Sequence, residues 1–340
     1  MNSSNMLFMF TLLSGVMITI SSNSWISAWM GLEINLLSFI PLMMNNSNIY
    51  TTEAALKYFL IQALASSFLL FYILVKAQAE NILLVQYQSI HSSEMLMLMP
   101  MLMKSGAAPL HWWFPSVMEG LSWKNCAILM TLQKVPSLIL ISYLIKSTLF
   151  STVIILMSVI IGSIGGLNQM SLRKLMTYSS INHLGWMLSA MLISNKIWMI
   201  YITTYIIITM TVITTIMMMN SSFINQMFMN NNNISMSKFM FSMSLLSLGG
   251  LPPFLGFMPK WLVIQQMINN GIIMMMSLMV MMTLLTLFYY MQVSYTAYMI
   301  MHSEPAWSIN IMHNMKFYCK FIVMMSLMSI ILMPMTTLLL

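Results

Sequence analysis

Aspartate is missing altogether from the 340 residues, and the six acidic side chains are all glutamate. Charged residues make up only 6% of the chain, against about a quarter in a soluble domain. With 59% hydrophobic residues and a mean hydropathy of +0.85, a water-soluble globular fold is excluded. Cysteine is nearly as scarce: Cys126 and Cys319 stand far apart without CxxC or CxxH spacing, so neither a disulfide framework nor a metal site is indicated. No GxxxxGK[ST] phosphate loop, no GxGxxG fingerprint and no cysteine set for an iron–sulfur cluster occurs. The chain therefore carries no visible energy source. The 13 basic residues give a net charge of +7, but they are spread thinly between apolar runs, without the dense tract that nucleic-acid binding needs. The N-terminus lacks the Arg-rich amphipathic form of an import presequence, and residues 1–20 read as a retained first span.

What is present is a succession of long apolar runs. At roughly 20 residues per crossing they predict about eleven helices, an all-α polytopic membrane protein forming a single transmembrane bundle over residues 1–340. The runs fall at about 6–20, 25–44, 52–75, 94–108, 125–145, 149–166, 171–193, 197–219, 238–268, 272–301 and 321–340. Polar loops are expected at 76–93 and 220–237, and the stretch through Glu119 to Trp123 is amphipathic enough to lie partly along the membrane surface. Methionine occurs 47 times over nearly every run, where Leu or Ile would serve equally well. Together with Asn230-Asn231-Asn232-Asn233, this fits the coding bias of a compact organelle genome.

Two runs are interrupted. One reads Lys104-Ser105-Gly106-Ala107-Ala108-Pro109-Leu110-His111-Trp112-Trp113-Phe114-Pro115, the other Leu248-Gly249-Gly250-Leu251-Pro252-Pro253-Phe254-Leu255-Gly256-Phe257-Met258-Pro259-Lys260-Trp261. Irregular backbone at membrane depth needs shelter, because its freed N–H and C=O groups find no partner in lipid. The breaks fall in runs four and nine. Gly/Pro-interrupted segments at matching positions of two halves predict inverted repeats with a site near the midplane, here five helices each, over about 5–145 and 149–301, followed by a C-terminal helix at about 321–340. Lys104 and Lys260 are then expected to be pseudo-equivalent.

Sorting ionisable residues by depth leaves Glu33, Lys104, Lys134 and Lys260, with His183 near mid-depth among Ser179, Ser180 and Asn182. A charge at membrane depth costs about 2.5–3.5 kcal/mol on insertion scales, so it faces a protein interior or a wet cavity. Each of the four has a blander reading as a snorkelling or ion-paired side chain. Burial disfavours the charged form of a lysine and a nearby carboxylate favours it, so a moving counter-charge or water file would switch such a group between holding and releasing a proton. Glu33 is the natural counter-charge for Lys104. Lys134 is followed by Pro136, which should kink its helix. His183, with a reference pKa of about 6.5, suits a relay or a hydrogen-bonded packing role. Glu53 and Lys57, at i,i+4 spacing, form either an interfacial pair or a lateral part of the path. His111 belongs nearer the mouth of the path than its centre.

Loop charges set the expected orientation. If the spans alternate, Lys124, Arg173, Lys174, Lys238, Lys316 and Lys320 share the N-terminal side, and Lys76, Lys146 and Lys196 lie opposite. By the positive-inside tendency the N-terminus faces the interior compartment and the C-terminus the exterior.

At these residues the chain resembles the antiporter-like membrane subunits of the proton-pumping NADH:ubiquinone oxidoreductase, respiratory complex I, and more distantly cation/proton antiporter subunits. The stretches that carry the resemblance are Trp29-Met30-Gly31-Leu32-Glu33-Ile34-Asn35-Leu36, Ala55-Leu56-Lys57-Tyr58-Phe59-Leu60, Lys104 to His111, Glu119-Gly120-Leu121, Leu132-Gln133-Lys134, Ser179 to Trp186, and Gly249 through Trp261. The resemblance implies that Glu33, Lys104, Lys134 and Lys260 are proton-channel half-sites and a connecting relay. It also implies a place in the mitochondrial inner membrane, where the orientation read from the loop charges puts the N-terminus toward the matrix and the C-terminus toward the intermembrane space. Partners would be other membrane-arm subunits, including neighbouring antiporter-like chains, and membrane lipids. The redox cofactors NADH, FMN, iron–sulfur clusters and ubiquinone would belong to other subunits, none being bound by this chain. About eleven helices matches a shortened form of the family's fourteen-helix core. Two other readings stand beside this one: a self-standing cation/proton antiporter, and a structural scaffold whose buried lysines are fixed ion pairs.

Overall fold

The computed structural model describes residues 3–44, 48–80, 94–226, 235–252 and 254–299. Among them the regular elements are helices, joined by turns and irregular segments, with an isolated antiparallel bridge between Ser171 and Phe223. The last expected span, 321–340, lies outside the described residues. Two compact units divide at Ile154/Ile155.

In the first unit, α1 (Ser3–Ser21) and α2 (Trp25–Met43) pack closely because glycine removes the side chain on both. A Cβ on Gly15 would lie 3.0 Å from the Asn35 nitrogen, and one on Gly31 would lie 3.0 Å from the Gly15 oxygen. Small residues let helices approach where lipid supplies no hydrophobic drive. The outer face of α1, with Met6, Leu7, Phe10 and Met17, is exposed and apolar.

Helix α3 runs from Ile49 to Glu80, past the expected end near residue 75. Lys76 is buried, and Lys-Ala-Gln-Ala-Glu is a run of good helix formers.

The first broken segment is α4 (Glu94–Ser105) followed by α5 (Trp113–Gly120). Gly106 adopts φ +76°, the left-handed conformation open to glycine, and ends α4. Its N–H reaches the carbonyls of Leu102 (3.0 Å) and Met103 (3.3 Å), and the Ala107 N–H also reaches Leu102 (3.1 Å). The Trp113 indole donates to Met103 O at 3.0 Å. The carbonyls freed by the break thus keep partners, as membrane depth requires. Helix α5 is amphipathic as expected: Trp113, Phe114, Pro115, Val117 and Met118 are buried, and Ser116 and Glu119 are exposed. Gly120 closes against the Tyr50 backbone of α3, leaving no room for a side chain.

The expected kink at Pro136 is an interruption between α6 (Trp123–Met130) and α7 (Lys134–Leu144). Proline has no N–H for the carbonyl four residues back. Upstream, the Gln133 N–H reaches five residues back to Ile128 O (3.1 Å) and the Lys134 N–H three back to Thr131 O (3.2 Å). A wide turn is followed by a tight one, and Lys134 opens the new helix.

The second unit holds α9 (Leu172–Ile193), α10 (Asn195–Met219), α11 (Ser235–Gly249), α12 (Phe257–Asn269) and α13 (Ile273–Met299), with most of α8 (Leu149–Gly166). Helix α9 is buried nearly all round from Leu175 to Met191, which is why it can carry Ser, Asn and His within a membrane protein. It meets α8 through glycines on both helices. A Cβ on Gly162 would lie 2.5 Å from the Asn182 nitrogen, and one on Gly185 would strike Ser158 and Val159.

The second break repeats the first in its cap. Gly250 has φ +81°, its N–H reaches Leu246 O and Ser247 O (both 3.1 Å), and the Leu251 N–H reaches Leu246 O (3.4 Å). The same bonds, four, three and five residues back, thus close α4 and α11.

Candidate functional site

Three of the five predicted site residues gather in the first unit. Lys104, in the last turn of α4, and Lys134, at the start of α7, are 9% and 3% exposed, and both line one cavity of about 20 Å³. Roughly 10–15 Å³ suffices for a water with polar partners, so the cavity has room for one. Its remaining polar wall includes Asn35 of α2, Tyr58 and Gln62 of α3, and Gln133. The Tyr58 hydroxyl donates to Gln133 Oε1 at 3.3 Å, Gln133 Nε2 donates to Asn35 Oδ1 at 2.9 Å, and Gln62 Nε2 donates to the Lys104 carbonyl at 3.4 Å. The Lys134 ammonium stands over the Phe114 ring, 4.9 Å from its centroid, an arrangement in which the ring quadrupole attracts the cation.

Glu33 is half-buried on α2. Its carboxylate acts on Lys104 through space, without a salt bridge within 4.0 Å between them among the described residues. Glu33 Oε2 is buried with no hydrogen-bond partner.

Lys260 and His183 belong to the second unit. Lys260, on α12 and 6% exposed, donates from Nζ to Gly249 O at 2.9 Å, so the last residue of α11 latches the lysine across the break. The Trp186 ring lies 6.0 Å away. A Cβ on Gly250 would stand 3.1 Å from Lys260 Cδ and 3.3 Å from Nζ; glycine here makes space for the lysine as well as the turn. The breaks correspond in their caps, but the lysines do not correspond in register. Lys104 lies two residues before Gly106, whereas Lys260 lies ten past Gly250. One lysine therefore belongs to the helix that ends, the other to the helix that begins.

His183 Nδ1 is 2.9 Å from Tyr201 Oη, and its ring lies 5.3 Å from that of Tyr205. The adjacent Tyr289 and Tyr290 rings pack edge to face at 4.6 Å, and all four tyrosines are buried. Sequence reasoning missed this cluster, although Tyr201 and Tyr205 share one face of an apolar helix at i,i+4. It also missed Gln133, Asn35 and Tyr58 as a network. Each is within two residues of a predicted charge, but nothing in the order of residues joins them. His111 does not line the lysine cavity; it stacks on the exposed Trp112 at 5.2 Å. Glu53 and Lys57 pair at 2.6 Å on the exposed side of α3.

Broken helices, buried lysines and sheltered polar residues define an antiporter-like polytopic membrane protein. A family model described as NADH:quinone oxidoreductase/Mrp antiporter, transmembrane, matches residues 22–286. The chain is 47% identical to NADH-ubiquinone oxidoreductase chain 2 of Anopheles gambiae over 314 residues, 92% of this chain and 91% of the relative. It is 43% identical to the Locusta migratoria protein of that name over 330 residues, 97% and 94% of the two chains. The chain belongs to the NADH:quinone oxidoreductase/Mrp antiporter family and, within it, to the NADH-ubiquinone oxidoreductase chain 2 proteins. Its fold is that of a chain in respiratory complex I from Thermus thermophilus, with a TM-score of 0.81 at 21% identity over 97% of this chain and 76% of that one. The membrane-bound sulfane sulfur reductase, an archaeal respiratory membrane complex, contains a similar chain, with a TM-score of 0.83 at 15% identity, covering 96% and 73%.

Proposed function

We propose that the chain moves protons as a membrane-arm subunit of the proton-pumping NADH:ubiquinone oxidoreductase, with Glu33, Lys104, Lys134, Lys260 and His183 as the proton-carrying groups. The observation that supports this best is the cavity shared by Lys104 and Lys134, which has room for a water and is lined also by Asn35, Tyr58, Gln62 and Gln133. A lysine that faces such a space gives or takes a proton without leaving its shelter. Glu33, within electrostatic reach of Lys104 but not paired with it, is the counter-charge whose changes of protonation bias that exchange. In the second half, the Gly249 carbonyl holds Lys260 and Tyr201 orients His183.

The protein is a multi-pass component of the mitochondrial inner membrane, with its N-terminus toward the matrix and its C-terminus toward the intermembrane space. Its two halves, about 5–145 and 149–301, act as five-helix repeats of a single bundle. NADH, FMN, iron–sulfur clusters and ubiquinone are held by other subunits, and electron transfer there supplies the work. Moving one charge against 100 mV costs about 2.3 kcal/mol, and no group in this chain provides it. Neighbouring antiporter-like chains and lipid cover the exposed apolar faces.

The test is Lys104→Ala and Glu33→Ala in the assembled complex in inner-membrane vesicles. Proton-coupled turnover should fall on the order of tenfold or more, the scale of a lost proton-transfer group. Full pumping with normal assembly in either variant would remove that residue from the path.

A further inference from the structure

Gln133 does something that proton transfer by the lysines does not require of it. It is the last residue of the interruption between α6 and α7, and each end of its amide is engaged by a different helix. Its oxygen accepts from Tyr58 of α3 at 3.3 Å, and its nitrogen donates to Asn35 of α2 at 2.9 Å. With the Tyr58 hydroxyl giving its proton to the amide oxygen and the Asn35 oxygen accepting from the amide nitrogen, both ends of the Gln133 amide are occupied. Tyr58 is itself held between Phe39, at 5.4 Å, and Trp113, at 5.9 Å, so one anchor of the bridge is rigid.

The next residue is Lys134. Its backbone N–H closes the tight turn onto Thr131 O at 3.2 Å, so the position of its Cα follows from how that turn sits against α2 and α3. We infer that Gln133 is a positioning residue for the lysine pair. Its amide bridge between Tyr58 and Asn35 holds the Thr131-Leu132-Gln133 interruption in place and sets Lys134 on the cavity wall it shares with Lys104. This rests on the reading that Lys104 and Lys134 carry protons. Proton transfer through one or a few waters depends steeply on distance and alignment; a misplacement of about 1 Å at a reacting group costs on the order of a hundredfold. Gln133 carries no proton in this scheme and acts through Lys134.

The experiment uses the assembled complex in inner-membrane vesicles, with proton-coupled NADH turnover expressed per assembled complex. Gln133→Met keeps the length of the side chain and removes both bonds. Gln133→Asn and Asn35→Gln each spoil the reach between the two amides, and the double exchange Asn35→Gln/Gln133→Asn restores their summed length. Lys134→Met runs alongside. The expected result is normal assembly for Gln133→Met with turnover lowered by roughly tenfold, losses in both single exchanges, and recovery to within about threefold of the unaltered protein in the double exchange. A purely structural role would lower the amount of complex and leave turnover per complex unchanged. If Lys134→Met is silent, the proton-carrying reading of the lysine pair falls. If Lys134→Met blocks turnover while an assembled Gln133→Met complex pumps fully, the positioning role falls and the lysine reading survives. Should Gln133→Met fail to assemble, the exchange series decides: a double exchange that assembles but pumps no better than the singles overturns the inference.

Discussion

Replacing Gly250 by alanine should harm this protein more than the same change at two other glycines with nearly the same backbone angle. Gly250, Gly106 and Gly271 have φ of +81°, +76° and +73°, and each pays about 1–2 kcal/mol when a Cβ is forced into the left-handed region. The surroundings then separate them. At Gly271 a new Cβ meets nothing within 4 Å, and at Gly106 its nearest neighbours are at 3.5 Å, an ordinary contact. At Gly250 it would lie 3.1 Å from Lys260 Cδ, 3.2 Å from Gly256 O and 3.3 Å from Lys260 Nζ. The lysine has to shift by a few tenths of an ångström, which strains its 2.9 Å bond to Gly249 O. A hydrogen bond to a charged group is worth about 1.5–3 kcal/mol. Gly250→Ala therefore costs at most about 5 kcal/mol, against about 1–2 kcal/mol at the other two glycines. Native gels of inner-membrane extracts, with proton-coupled turnover per assembled complex, should rank the variants Gly271→Ala, Gly106→Ala, Gly250→Ala from mildest to most severe. Equal impairment at Gly106 and Gly250, or a Gly250→Ala complex that behaves like Gly271→Ala, would refute the claim that the glycine exists to admit the lysine.

Tyr201→Phe removes the 2.9 Å contact with His183 Nδ1 while keeping the ring, and the loss of a buried bond costs about 1–3 kcal/mol. Turnover per assembled complex should drop severalfold, and an unchanged rate would take the Tyr201–His183 contact out of the proton path. Lys57→Met should change almost nothing: the Glu53–Lys57 pair is about half exposed on both sides, at 56% and 47%, and pairs of that kind contribute about 0.3–0.5 kcal/mol. Coupled turnover within about twofold of the unaltered protein is expected, and a tenfold loss would bring the pair into the path.

The membrane class, the positions of most spans and the two interruptions are all legible in the order of residues. Each follows from a local rule: an apolar run must cross lipid, and Gly106 or Gly250 followed by proline must end a helix. The depth of Lys104, Lys134 and Lys260 follows from the same rule, since each sits within or beside a run that has to be buried. Misreadings arise where a local rule meets a neighbour. Residues 76–80 look like loop because they are polar, yet they extend α3. The stretch through Glu119 to Trp123 is legibly amphipathic, but what its apolar side meets is not: α5 turns Trp113 and Phe114 inward and Gly120 closes against Tyr50. Pro136 announces a disturbance but not its form, which depends on the longer and shorter bonds made upstream at Gln133 and Lys134.

By itself, the sequence determined that this chain lives in a bilayer, that it hides a few ionisable groups there, and that its helices break beside two of them. Those are consequences of solvation energy and of backbone geometry, which act residue by residue. Only the tertiary structure decided that Lys104 and Lys134 share a cavity, that Gln133 links Tyr58 to Asn35 across 75 and 98 residues of chain, and that Lys260 hangs from the carbonyl of Gly249. These depend on which helix faces lie together. Hydrogen bonds and charges at that range are set by packing, and composition, periodicity and motif carry no record of it.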